Sequence, residues 1–135
     1  MILHDPAFNE AYESMMEVAR MEMGPDWKLG QMIVLETFPG EYHWAKVEDL
    51  TPSVREPIEE ALIEQLMDWN ETRVLTCLCT MDGQLPEIPS WHLRKRLLEI
   101  HPENRNTVTF LWGGGEQVHI KPFSALLPPK NIERK

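Results

Sequence analysis

Hydrophobic and polar positions along this chain change their period several times, and each change marks a new element. Phe8, Tyr12, Met15, Met16, Ala19 and Met23 recur at helical spacing, opened by Asp5-Pro6 as N-cap and first-turn proline and closed by Gly24-Pro25. Glu10, Glu13 and Glu17 form the opposite stripe, with Arg20 one turn beyond Glu17 to offset part of the charge. The run Met-Ile-Val-Leu between Gln31 and Phe38 predicts a strand, Pro39-Gly40 a turn, and Tyr42 to Val47 the returning strand of a hairpin. Thr51-Pro52 and Pro57 introduce a second helix reaching to about Trp69, with Ile58, Leu62, Leu66 and Trp69 on one face.

Arg73 to Met81 alternates as a strand, placing Leu75, Cys77, Cys79 and Met81 on one side and Val74, Thr76, Leu78 and Thr80 on the other, until Asp82-Gly83 ends it. Ser90, preceded by Pro89, caps a third helix to about His101, which Pro102 stops. A last hairpin joins Thr107 to Trp112 and Gln117 to Phe123 through Gly113-Gly114-Gly115. The order α-β-β-α-β-α-β-β lacks regular βαβ alternation. It predicts an α+β fold with three helices on one face of a mainly antiparallel sheet of about five strands. Residues 1–127 are expected to form one domain and residues 128–135 a mobile tail, with no internal repeat.

Composition narrows the class. The hydrophobic share of 42% and charged share of 26% are those of an ordinary globular protein, and 135 residues suffice for one well-buried core. No apolar run approaches the ~20 residues of a membrane span, and the N-terminus carries no secretory pattern. The expectation is a soluble cytoplasmic protein with no membrane partner. Cys77 and Cys79 stand one residue apart on a strand, where an unstrained disulfide between them is excluded. A reducing compartment fits them.

Charge adds an asymmetry. The net charge of −9 argues against nucleic acid, which needs clustered Lys and Arg. Up to Glu71 the chain holds sixteen acids against four bases, and from Thr72 onward six acids against nine bases. Glu60, Glu64 and Asp68 align as an acidic ridge on the second helix, a candidate face for a basic protein partner. The two halves could also neutralise one another between chains, as a homodimer.

Known catalytic patterns are absent. Cys77-x-Cys79 with His92 and His101 superficially suggests zinc, but positions nine apart on a helix point to opposite sides, so the expectation is no metal and no cofactor. Gly113-Gly114-Gly115 is followed by Glu116 and a strand, which makes it a hairpin turn instead of a phosphate loop. The carboxylate stripes lack the Glu-x-x-His pair of a di-metal bundle. Neither Gly-x-Ser-x-Gly nor His-Glu-x-x-His occurs.

Two features stand out against this background. Arg94 and His101 fall inside the apolar arc of the third helix, where a guanidinium must reach solvent, an acid or a ligand. The face of the final hairpin bearing Thr107, Thr109, Gln117, His119 and Lys121 predicts, together with Thr76 and Thr80, an uncovered hydroxyl-rich surface. The functional expectation is a small acidic protein-interaction module, accessory or inhibitor-like, without catalytic activity. The alternative is a small enzyme or ligand-binding protein that holds an anion through Arg94 and His101, or through the His119/Lys121 face.

Overall fold

The computed structural model describes residues 2–3, 5–24, 30–81 and 85–126. The tail expected over residues 128–135 and the turn at Asp82-Gly83 lie outside them. The elements are β1 (Ile2–Leu3), α1 (Pro6–Met23), β2 (Gln31–Thr37), β3 (Tyr42–Val47), α2 (Pro52–Asp68), β4 (Val74–Met81), β5 (Leu85–Glu87), α3 (Trp91–Ile100), β6 (Val108–Trp112) and β7 (Gln117–Pro122). The expected order is present, with the short β1 and β5 added.

All the described strands join one sheet, ordered β1-β7-β6-β4-β2-β3, with β5 pairing beside β4. The sheet is mixed. Both hairpins are antiparallel, but β4 and β6 run parallel, with Thr76 opposite Val108 and Cys77 opposite Thr109. The reason is the long connection through α3, which carries the chain back before β6 begins and so restores its direction.

The helices do not share one face, as the sequence suggested. Met32 and Val34 of β2 pack with Tyr12, Met15, Ala19 and Met23 of α1, whereas Ile33 and Leu35 pack with Leu62, Ile63 and Leu66 of α2 and Leu93 and Leu97 of α3. The sheet is the middle of three layers. The apolar run at Met32 to Leu35 suits this, because a strand buried on both sides needs apolar residues at every position.

On α2 the buried residues are Glu59, Leu62, Ile63 and Leu66. Trp69, expected inside, is 61% exposed. The helix is rotated by about one position from the predicted face, and that rotation carries a carboxylate into the interior. The hydroxyl-rich surface also resolves differently. Parallel pairing sets Thr76 beside Val108 and turns it toward α1, where its hydroxyl meets Met15 Sδ at 3.1 Å and Glu36 Oε1 at 2.9 Å. Thr76, Thr80, Thr107 and Thr109 are all buried, so no open threonine face exists among the described residues.

Candidate active-site cleft

Ser90 begins the site. Following Pro89, it caps α3: its Oγ accepts from Leu93 N at 3.1 Å, as a serine N-cap does for an unpaired first-turn amide. The same Oγ donates to Glu59 Oε2 at 2.7 Å, which ties the first turn of α3 to α2. Glu59 is 1% exposed, set one turn from Leu62 and Ile63 on the packed stripe of α2. Burial pushes its carboxyl above the usual range, against the Ser90 hydrogen bond and the neighbouring Arg55 and His92, which favour the charged form.

Around this pair lies a cleft of ≈ 820 Å³ where the N-terminal ends of α2 and α3 meet the ends of β2, β4 and β5. Arg55, Glu56, Ser90, Trp91, Arg94 and Lys95 are among its walls. It opens beyond the carboxyl end of β4, from which the chain passes by way of β5 and α3 to the parallel strand β6. Open sheets with such crossovers hold ligands in the corresponding place. Among the described residues three buried polar atoms have no hydrogen-bond partner: Arg55 Nε and Trp91 Nε1 of the cleft walls, and Oε1 of Glu59 behind Ser90. Arg55 Nε lies 3.7 Å from Glu59 Oε2, beyond a good hydrogen bond.

Arg94 is 5% exposed. Its Nε donates to the Pro89 carbonyl at 3.0 Å and Nη1 to the Leu126 carbonyl at 3.4 Å, with the guanidinium 5.3 Å from the centre of the Trp91 ring. Burial lowers its pKa from the ordinary arginine value. Arg94 therefore holds the α3 entry segment in place while forming part of the cleft wall.

The other expected site residues scatter. His101 follows α3, its Nδ1 accepting from Glu103 N at 3.0 Å, and is not part of the cleft. Thr107 and Thr109 donate to the carbonyls of Val74 at 2.7 Å and Cys77 at 3.0 Å, fastening β6 to β4. His119 and Lys121 are exposed on β7, and the His119 ring lies so close to Gly113 that any side chain at Gly113 would collide with it. The acidic ridge is not uniform. Glu60 accepts from Arg96 Nε and pairs with His92 Nε2, both at 2.8 Å, and the Arg96 bond lowers its carboxyl pKa. Glu64 and Asp68 stand in solvent.

Arg55, Glu59, Ser90 and Lys95 escaped functional notice in the sequence. The legible signal was Glu59 itself, a charge spaced three, four and seven residues before Leu62, Ile63 and Leu66.

The chain matches no protein-family model and no curated protein. Twelve chains of solved structures do resemble it. One is the cytidine deaminase from Burkholderia pseudomallei, with a TM-score of 0.60 and 15% identity over 89% of this chain and 96% of that one. The likeness is one of fold. It overturns the expectation of a non-catalytic interaction module, which rested on missing motifs and on the acidic helical surface: 89% of the chain shares its fold with that deaminase, and the fold here surrounds a polar cleft. The alternative, a small enzyme or ligand-binding protein, fits both observations.

Proposed function

We propose that this protein binds a small organic anion in the cleft between α2 and α3. The observation that carries the proposal is that Arg55, Arg94 and Lys95 outnumber the two lining carboxylates, Glu56 and Glu87, on one concavity, beside polar atoms without partners among the described residues, in a chain of net charge −9. Arginine suits such a role because its planar fork grips carboxylate or phosphate oxygens. Trp91 Nε1 adds a neutral donor on the cleft wall. His119 and Lys121, exposed on β7, are left outside this site.

Zinc-dependent deamination is not part of the proposal, because the donor set does not fit. Cytidine deaminases hold zinc through a His/Cys/Cys or Cys₃ set within His-x-Glu and Pro-Cys-x-x-Cys signatures. At Pro89-Ser90-Trp91-His92-Leu93 this chain has serine and leucine where the second signature has its cysteines. The only thiols are buried in β4, and His101-Pro102-Glu103 follows the far end of α3. Among the described residues no group of three or more His, Cys, Asp or Glu could hold a metal. No described helix is long and apolar enough to cross a membrane, and we keep the cytoplasm as the proposed location on the strength of the two free thiols.

Calorimetric titration with cytidine and with cytidine monophosphate tests the proposal, since the two differ by the phosphate. The monophosphate is expected to bind at least tenfold tighter, to weaken as salt rises, and to lose that advantage in Arg55→Ala. A small dicarboxylate series covers anions without a nucleobase. Equal affinity of Arg55→Ala and wild type for every anion that binds overturns the reading, as does binding of none.

A further inference from the structure

We infer that Ser90 on the cleft wall and Glu59 buried behind it form a nucleophile–base pair, acting on a small ester or thioester whose negative charge rests against Arg55 and Lys95. This rests on the anion-binding role proposed for the cleft. Capping accounts for Ser90 without Glu59: the bond from Leu93 N to Ser90 Oγ is complete in itself. Packing does not account for Glu59, because a leucine at its position would continue the stripe of Leu62, Ile63 and Leu66 with no polar atom to bury. What the pair does provide is a hydroxyl on the cleft wall whose proton already points at a carboxylate oxygen 2.7 Å away. Nucleophile–base pairs have this geometry.

The surroundings tune the base. Arg55 and Glu56 of α2 and His92 of α3 act on Glu59, and the thiol of Cys79 on β4 feels both Glu59 and Glu87 of β5. Their charges partly oppose one another, and burial prevails, leaving a carboxylate more basic than an exposed one and so better matched to taking a proton near neutral pH.

Glu59 takes the hydroxyl proton as Oγ bonds to the substrate's carbonyl carbon. The bond from that carbon to the leaving oxygen or sulfur then breaks, and the leaving group recovers the proton from Glu59. Water next attacks the acyl-Ser90 carbon, passing its proton to Glu59. The proton returns to Oγ as the acyl bond breaks. The sum is hydrolysis, with no oxidant or reductant.

An alkyl fluorophosphonate tests the pair without knowledge of the substrate, through a P–Oγ bond formed, a P–F bond broken, fluoride released and the proton taken by Glu59. Intact-mass spectrometry should show one adduct per chain, mapped by peptide analysis to Ser90 and absent in Ser90→Ala. Glu59→Gln should label about 100-fold more slowly or worse. The wild-type rate should rise with pH through a titration above the ordinary carboxylate range, and the Gln variant should lack that rise. No adduct at Ser90, or an equal rate in a folded Glu59→Gln, overturns the inference. If Glu59→Gln does not fold, the wild-type pH profile decides, and a rate without that titration overturns it. Labelling at Ser90 together with absent anion binding removes only the anion-binding role, whereas anion binding without labelling removes only the pair.

Discussion

The two faces of the sheet are built on different terms. Against α1 the interior is a methionine and aromatic layer in which Tyr12 meets Phe110 at 5.2 Å between ring centroids, and Met15, Met16, Met23 and Met32 fill the gaps. Burial of the Tyr12 phenol pushes its pKa up to about 12, so it stays neutral and never brings a charge into the layer. Against α2 and α3 the layer is mainly aliphatic, yet it also contains Glu59 and Arg94, and three polar atoms at its margin lack partners among the described residues. A face that serves packing alone does not keep ionisable groups in its interior, because removing a charge from water costs stability. Their concentration on one side sets the two faces apart: α1 secures the sheet through apolar packing, and the α2–α3 side also holds buried charged groups beside the cleft.

The largest effects should be similar on both faces, because Phe110 and Leu97 are both fully buried. Phe110→Ala on the α1 side should cost about 3 to 5 kcal/mol, and Leu97→Ala on the α3 side about 2 to 5 kcal/mol, through the cavities they leave. Urea unfolding measures both. A loss below about 0.5 kcal/mol at either site, the level of an ordinary surface substitution, would mean that its layer is not a packed core.

The difference between the faces appears next, in the sign of a substitution. Glu59 has its folded pKa raised, so its favourable contribution is complete below the ordinary glutamate value and is lost as pH rises through the folded value. Glu59→Gln should therefore melt higher than wild type at pH 8, and the gap should close on acidification. Differential scanning calorimetry across pH 4 to 8 follows it. A variant less stable than wild type at pH 8 would make Glu59 a structural group and erase the contrast with α1.

The smallest effect belongs to the bridge outside the cleft. The Arg96 bond holds the folded pKa of Glu60 below the ordinary value, so its stabilisation is present above that value and is lost as pH falls through the folded one. Glu60→Gln should lower the melting temperature at pH 7 by an amount worth less than about 1 kcal/mol, since the pair is partly solvated. The deficit should shrink toward pH 3. A deficit that persists unchanged into acid would assign it to lost packing instead of charge.

Local signals made much of the fold readable. Asp5-Pro6 and Ser90 mark helix starts through capping chemistry that involves only neighbouring residues, and both caps form as their residue types require. The glycines after Trp112 announced a hairpin for a similar reason: at Gly113 the partner strand's His119 leaves no space for a side chain. The run from Met32 to Leu35 marks a strand, but its apolar residues at every position are explained only by the helices that cover both faces of the sheet. Here the missing element was knowledge of what lay opposite.

The site was much less legible. Serine at an N-cap is common and needs no function, so nothing in the text of the chain separates Ser90 from an ordinary cap. Glu59 and Ser90 are thirty-one residues apart in the chain and 2.7 Å apart in space. Their meeting depends on the rotation of α2, on α2 and α3 sharing one face of the sheet, and on the parallel return of β6. Periodicity resolves a helix face only to about one position, enough to keep Leu62 and Leu66 inside but not to choose between Glu59 and Trp69 as their neighbour. Sequence thus determined the three helices, the five longer strands, their caps and their order, because those follow from contacts within a few residues. Tertiary structure alone decided the three layers, the parallel pair and the cleft, because each requires residues distant in the chain to compete for the same surface of the sheet.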